Sequence, residues 1–364
     1  MHERYMRRAI ELALRAEGQT SPNPLVGACV VKGGRIVGEG LHKMAGLPHA
    51  EVNALNAAGQ KAKGASLYVT LEPCDHFGRT PPCTEAIIRS GIKEVIIAMR
   101  DPNPINNGRG IRRLKKSGIK TVQGVLEDKA KAMNRPYIKF ITKGLPYVTL
   151  KLAESLDGKI ATSRGDSKWI TGEEARRRVQ FLRGRVDAVM VGVNTIIKDD
   201  PRLTLRVGKK KLTRIILDSR LRTPLDARIF ADSERSPIVI AAAEGANQNK
   251  ARALEKRGAL VLSVKSRRDK VDIVQLLKIL AEMGMMHILV EGGGELAASL
   301  IENGLADHLL FFIAPKIIGG RDAVTSVEGD GVDLVSGAVR VKGIKLRRFG
   351  EDILVEGDIA CSRA

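Results

Sequence analysis

Aromatic residues make up only 3% of this 364-residue chain. Proteins that grip single-stranded nucleic acid interleave aromatics with a positive groove so that bases can stack. Their scarcity speaks against that role, although the formal net charge of +20 would suit it. Cysteine is also rare, with Cys29, Cys74, Cys83 and Cys361 as the full set of 4. Too few for a disulfide framework, they fit a reducing, cytoplasmic setting in which thiols stay available to metal. No apolar run is long enough to span a bilayer, so no membrane partner is expected. The opening M-H-E-R-Y-M-R-R-A-I-E-L-A-L-R alternates charge with apolar positions at helical spacing. It reads as a helix over residues 4–17, whereas an export leader needs an unbroken apolar core.

The composition that remains, 43% hydrophobic and 28% charged, is that of a globular protein long enough for two domains. Its basic residues are dispersed, and local runs such as Arg176–Arg178 and Lys209–Lys211 are short. Most of them read as solvated surface, with a positive field that favours phosphorylated small molecules.

Chemistry concentrates between Pro48 and Cys83, where P-H-A-E is followed by E-P-C-D-H-F-G-R-T-P-P-C. His49, Cys74 and Cys83 offer an imidazole and two thiols, a donor set suited to zinc. Three protein ligands leave a fourth position for water, as catalytic sites require, whereas a structural site would want a fourth ligand, for which His76 is the nearby candidate. Glu51, two residues after His49, is placed to carry a proton. H-x-E followed by P-C and a second Cys is the signature of zinc-dependent deaminases acting on nucleobases and related rings. Around it, Val26–Val31 and Ile36–Val37 predict a hairpin, and a helix starts at His49 with Glu51 in its first turn. A strand over Ser66–Leu71 delivers Cys74, and Cys83 opens a helix over Thr84–Ser90. Asn23, between two prolines, fits either an Asx-turn or an amide that reads a ring edge.

Eight residues separate the two cysteines, where the usual deaminase pattern has two. That insert, which adds His76, Arg79 and Thr80, together with T-S-P-N-P-L-V-G and H-A-E, closely resembles the deaminase half of the bifunctional deaminase/reductase family of riboflavin biosynthesis. The resemblance implies His49, Cys74 and Cys83 as zinc ligands, Glu51 as proton donor and acceptor, and Asn23, His42 and His76 lining the substrate pocket. The implied fold is α/β, a cytidine-deaminase-like domain with a central mixed sheet and flanking helices.

Near residue 145 the periodic pattern breaks, and the domains are expected at 1–145 and 146–364. Strands are predicted at Pro146–Ala153, Asp187–Val193, Arg214–Leu217, Pro237–Ala241, Leu260–Val264, His287–Val290 and His308–Ala314, with an arginine-rich helix at Glu173–Leu182 and a closing hairpin after about Ser336. The strand–glycine–helix run I-L-V-E-G-G-G-E-L-A-A-S-L can be a tight turn or a cradle of backbone amides for phosphate, and it is not a Rossmann fingerprint. Trp169, the lone tryptophan, suits a core anchor or a ligand contact. Lys151 suits a proton-transfer or imine-stabilising group.

The motifs K-L-A-E-S-L-D-G-K-I-A-T, S-K-W-I-T-G, D-D-P-R-L-T-L-R, V-E-G-G-G and A-P-K-I-I-G-G look like the reductase half of the same family, which is similar in fold to dihydrofolate reductase and uses NADPH. By that likeness Ala153, Trp169, Thr195, Asp199, Ser219 and the loop Gly293, Gly294, Glu295, Leu296, Ala297, Ala298 and Ser299 would touch the cofactor. Ser167, Arg183, Leu203, Arg206 and Glu291 would meet the sugar phosphate, with both arginines as clamps. The implied activity is deamination of a diaminopyrimidinone ribosyl phosphate, followed by reduction of its ribosyl group. The substrate is a phosphorylated pyrimidine, and a homo-oligomer, dimer or tetramer, is expected. A tRNA deaminase with an RNA-binding second domain is the rival reading, and the long cysteine spacing and few aromatics count against it.

Overall fold

The computed structural model describes residues 2–78, 81–206 and 210–359, so Arg79, Thr80, Lys209 and Cys361 lie outside the described residues. The chain forms two compact units, Met1–Leu145 and Pro146–Ala364.

In the first unit, α1 (His2–Leu14), β1 (Gly27–Lys32), β2 (Arg35–Leu41), α2 (Ala50–Ala58), β3 (Ser66–Leu71), α3 (Cys83–Arg89), β4 (Glu94–Met99), α4 (Arg109–Lys116), β5 (Lys120–Gln123), α5 (Glu127–Met133) and α6 (Arg135–Lys143) follow in order. The sheet runs β2-β1-β3-β4-β5. β1 is antiparallel to both neighbours, while β3, β4 and β5 are parallel. The strands read as apolar runs because helices cover the sheet: Val30, Leu67, Val69, Ile96 and Ile97 are fully buried. α2 reaches backbone contact with β2 through small residues. Ala50, Ala54 and Ala58 face inward, and a Cβ on Gly38 or Gly40 would sit 2.3 Å from the carbonyl oxygen of Ala54 or Ala50. This contact fixes where the start of α2 lies.

The second unit contains β6 (Tyr147–Ser155), α7 (Glu173–Arg183), β7 (Ala188–Gly192), α8 (Val193–Asp199), β8 (Thr213–Leu217), β9 (Ile238–Ala243), α9 (Gln248–Lys256), β10 (Ala259–Val264), the short pair β11 (Ser266–Arg267) and β12 (Lys270–Val271), α10 (Ile273–Glu282), β13 (His287–Val290), α11 (Gly294–Glu302), β14 (His308–Ala314), β15 (Val341–Phe349) and β16 (Asp352–Ile359). Its large sheet runs β10-β9-β8-β7-β13-β6-β14-β16-β15. Pairing is parallel from β10 through β14 and antiparallel for the last two strands. Val189, Val191, Ile216, Ile240 and Leu289 form its core with Phe230 and Leu254. β6 lies between β13 and β14, and the connection from β6 runs to β7 on one side while that from its neighbour β13 runs to β14 on the other. Such switch points open a crevice at the carboxyl ends of the strands.

Two helices of this chain carry no clear sequence signal. Residues 135–144 hold α6, whose one buried side chain is Tyr137, so no apolar stripe announced it. Likewise, N-T-I-I-K-D after β7 forms α8, too short at 7 residues to show a helical period.

Candidate active sites

The first site gathers at the start of α2 and the turn between β3 and α3. His49 is the N-cap residue of α2, Glu51 lies in its first turn, and Cys83 is the first residue of α3. The Nδ1 atom of His49 lies 3.1 Å from the Cys83 Sγ and 3.6 Å from the Cys74 Sγ. The donor atoms of all three residues fall within 4.8 Å of one another. Zinc bonds of about 2.1 Å to nitrogen and 2.3 Å to sulfur at a tetrahedral angle would put such atoms about 3.5 Å apart, so these residues fit the ion.

The electrostatics agree. The hydrogen bond with Cys83, and then that with His49, pull the Cys74 thiol down to about 4. Its bond to Cys74, together with burial, pushes the Cys83 thiol up. One proton is thus held among donors that a divalent cation would satisfy together. Glu51 is 3% exposed. Burial, with the nearby Cys74, raises its carboxyl to about 7, and it bonds to Cys83.

The pocket residues expected here come together. Asn23 Nδ2 lies 3.0 Å from His42 Nε2, and the His42 ring stands edge-on to that of His49, 5.2 Å between centroids. Burial lowers the His42 pKa, and its Nδ1 lies 3.4 Å from the Pro48 carbonyl. His76 carries a buried Nδ1 with no hydrogen-bond partner among the described residues, an orphan of the kind that a bound molecule would satisfy.

The second site is a cleft of about 1320 Å³ in the second unit, larger than the roughly 300–1,000 Å³ of a pocket for one small ligand. Lys151, Ala153, Ser167, Trp169, Arg183, Thr195, Asp199, Leu203, Arg206, Glu291 and Gly293 line it. β6 brings Lys151 and Ala153, α8 brings Thr195 and Asp199, and the end of β13 brings Glu291. Arg183 grips Glu291 with two hydrogen bonds, at 2.6 and 3.1 Å, and Lys151 Nζ donates to the same carboxylate at 3.5 Å. Burial acts to raise the Glu291 pKa, but the charges of Arg183 and Lys151 outweigh it and hold it at about 2. Arg183 is therefore committed to a carboxylate, while Arg206 is exposed. Ser167 donates to Asp199 at 2.9 Å. Trp169 is no core anchor: it is 61% exposed, with the Arg176 guanidinium 4.7 Å from its ring centroid.

The glycine loop fits a phosphate-bearing cofactor. Nothing lies within 4 Å of a Cβ built on Gly293, whereas one on Gly294 would strike Glu328 and the Thr325 carbonyl. The amides of Gly294, Glu295 and Leu296 begin α11, where helical bonding leaves them without intrahelical partners and no side chain caps them. Leu296, Ala297 and Ala298 are buried, so only their backbone is available for such a contact. Ser219 and the segment 294–299 do not line the cleft, and the Ser219 hydroxyl accepts from the Val271 amide at 3.0 Å.

Sequence reasoning passed over Arg214. It is fully buried, and its guanidinium donates to the carbonyls of Arg202, Ile229 and Ser236, tying down the segment that carries Leu203 and Arg206. An isolated arginine between strand residues gives no sequence signal for this.

The folds and sites define a two-part protein, one part of the zinc-binding deaminase class and the other of a reductase class. Residues 1–99 match the family model of the cytidine and deoxycytidylate deaminase zinc-binding region, and residues 146–355 match the RibD C-terminal domain. The chain is 47% identical over 353 residues to riboflavin biosynthesis protein RibD of Aquifex aeolicus, covering 96% of each. It is 39% identical to the Escherichia coli protein of that name, covering 96% of this chain and 97% of that one. Among solved structures it resembles Acinetobacter baumannii RibD (TM-score 0.87, 36% identity) and a diaminohydroxyphosphoribosylaminopyrimidine deaminase/5-amino-6-(5-phosphoribosylamino)uracil reductase from Thermotoga maritima (TM-score 0.85, 37% identity), each over 99% of both chains. The chain belongs to the RibD family of riboflavin biosynthesis proteins.

Proposed function

We propose that the chain catalyses two consecutive steps of riboflavin synthesis: hydrolytic deamination of 2,5-diamino-6-(5-phosphoribosylamino)pyrimidin-4(3H)-one, then reduction of the ribosyl group of 5-amino-6-(5-phosphoribosylamino)uracil to ribityl. Residues 1–145 carry the first step and 146–364 the second. The observation that carries the reading is the gathering of His49, Cys74 and Cys83 beside the buried carboxyl of Glu51.

His49, Cys74 and Cys83 would hold zinc, which would supply the Lewis acidity for a water to ionise near neutral pH. Glu51, whose carboxyl is raised to about 7, takes the proton from the attacking water and passes it to the departing amine. Asn23, His42 and His76 hold the ring edge, and burial disfavours a charge on His42.

In the second unit the amides at the start of α11, with Ala153, Trp169, Thr195, Asp199 and Ser219, would hold NADPH, which would supply the hydride. Ser167, Leu203 and Arg206 hold the ribosyl phosphate, and the exposed Arg206 offers a cation for it. Glu291 fixes Lys151 and Arg183, and Lys151 delivers a proton as the sugar opens. The enzyme works in the cytoplasm as a dimer or tetramer, which sedimentation will measure, and uses no nucleic acid.

Coupled turnover tests this: ammonia release and NADPH oxidation followed in one sample. Ammonia is expected first. Ammonia without NADPH oxidation, even with the aminouracil supplied, would remove the reductase assignment. No ammonia from a folded, zinc-loaded sample would remove the substrate.

A further inference from the structure

Cys74 is held from both sides by one buried side chain far along the sequence. Asn106 is fully buried. Its Oδ1 accepts from the amide of Asp75 at 3.0 Å, and its Nδ2 donates to the carbonyl of Pro73 at 3.4 Å. Those are the residues immediately before and after Cys74. The same Nδ2 donates to Asp101 at 3.1 Å, and Asp101 also accepts from the Tyr137 hydroxyl at 3.0 Å.

The clamp continues to the second thiol. The Asp75 carboxylate accepts from the Thr84 hydroxyl at 2.7 Å, and the Thr84 amide donates to the Cys74 carbonyl at 3.2 Å. Thr84 directly follows Cys83 and is itself fully buried. Below them, Glu72 accepts from the amides of Asp101, Gly108 and Ile111 at 3.2, 2.9 and 3.2 Å. The loop that carries Asn106 is thereby anchored to the strand end that carries Cys74.

We infer that Asn106, acting with the Asp75–Thr84 pair, is a positioning residue that holds the two cysteine thiols at metal-binding separation before the ion arrives. The inference rests on His49, Cys74 and Cys83 being the zinc ligands. The physical reason is preorganisation. Two thiols on opposite sides of an eight-residue insert would otherwise pay the entropy of closing that loop at the moment of binding. Outer-shell partners of metal ligands typically carry 10–100-fold in affinity. Asn106 acts on the backbone around the ligand rather than on the sulfur, so its effect should appear as loss of affinity and altered ligand geometry.

The test uses full-length protein and zinc competed against a chromophoric chelator. Asn106→Leu, similar in size but without hydrogen-bonding groups, should weaken zinc binding about 10–100-fold. Thr84→Val, which removes one hydroxyl and keeps the shape, should weaken it by several fold, and Thr84→Ser should restore wild-type affinity. Cobalt substituted for zinc should show shifted thiolate charge-transfer and d–d bands in both damaged variants. Zinc should also raise the melting temperature less in Asn106→Leu and Thr84→Val than in wild type, because the apo protein already lacks the clamp.

A purely structural role would lower the apo and zinc-loaded melting temperatures equally and leave zinc affinity and the cobalt spectrum unchanged, which would overturn the proposal. Thr84→Val keeps the test open if Asn106→Leu does not fold. Cys74→Ser separates the two levels of the argument. If it retains zinc at wild-type affinity, the ligand assignment fails and the proposal with it. If it loses zinc while Asn106→Leu and Thr84→Val bind as wild type, the clamp alone is wrong.

Discussion

Glu51 is buried and Glu291 largely covered at the edge of its cleft, yet their surroundings drive the two carboxyls to opposite states. Around Glu51 the nearby charge is mostly negative, from Cys74, and burial wins, so the carboxyl keeps a proton up to about pH 7. Around Glu291 two cations meet it, and burial loses, so it stays ionised down to about pH 2. A carboxyl poised near neutrality can exchange protons during a reaction, whereas one at about 2 is a fixed charge that orients its partners. The proposed function accordingly gives the first unit's glutamate the part of a reactant and the second unit's that of scaffolding.

The widest separation between the two should come from Glu51→Gln. General acid–base groups supply about 10²–10⁴-fold, so ammonia release is expected to fall on the order of 1,000-fold. Zinc content and NADPH oxidation with supplied aminouracil should stay at wild-type levels. Equal loss of both activities would break the comparison, because Glu51 would then be supporting structure as Glu291 does.

Glu291→Gln comes next. It leaves Arg183 and Lys151 without their shared counter-charge, and breaking a buried pair costs about 3–5 kcal/mol. The larger effect is on stability, read as a lower urea midpoint at pH 7. The sign with pH follows from a folded pKa depressed to about 2 from 4.5. The stabilisation is fully present above pH 4.5 and is lost as pH falls from 4.5 toward 2. Wild type should lose stability across that window, and the variant should show a flatter acid limb.

The first site was almost fully legible in the sequence, since H-A-E and the two Pro-Cys pairs place ligands and proton carrier within 35 residues, 49 to 83. The strands at His287–Val290 and His308–Ala314 were equally plain, because buried parallel strands read as unbroken apolar runs. What stayed hidden depends on tertiary contact alone. Asn106 bonds across 31 residues to Asp75, and Arg214 bonds to carbonyls in three separate segments. α8, which carries Thr195 and Asp199, was hidden by its length. That Arg183 is spent on Glu291 while Arg206 stands exposed could not be read either, since both are simply arginines until their neighbours are known.

Arg206→Ala sharpens that last contrast. A free guanidinium bonded to phosphate contributes about 1.5–3 kcal/mol, so KM for the aminouracil phosphate should rise roughly 10–100-fold with kcat little changed. A dephosphorylated substrate should show no such difference between wild type and variant. A fall in kcat at unchanged KM would mean that Arg206 acts in the reaction and that the phosphate is held elsewhere.

The smallest effect belongs to a third titrating group, and it asks whether burial without a partner charge behaves as it does at Glu51. His287 donates or accepts at Thr149 Oγ1, 2.9 Å away. Burial first, then the charges of Lys210 and His308, lower its pKa from 6.5 to about 3. Below pH 6.5 the unfolded chain binds a proton that the folded chain refuses, so stability falls as pH drops from 6.5 toward 3. The full slope would be about 1.4 kcal/mol per pH unit. The ring is only partly covered, which trims this to an expected loss of about 1 kcal/mol between pH 6.5 and 5. His287→Gln keeps a partner for Thr149 and removes the titration, so its stability relative to wild type should rise as pH falls through that range. The window opens above the one assigned to Glu291 and overlaps it only below pH 4.5, so at pH 5.5 urea unfolding reads His287 alone, and Glu291→Gln should differ from wild type in its pH slope only below pH 4.5. If His287→Gln changes nothing at pH 5.5, the ring already takes a proton in the folded protein, and it is the neighbouring charges, not burial, that decide how each carboxyl behaves.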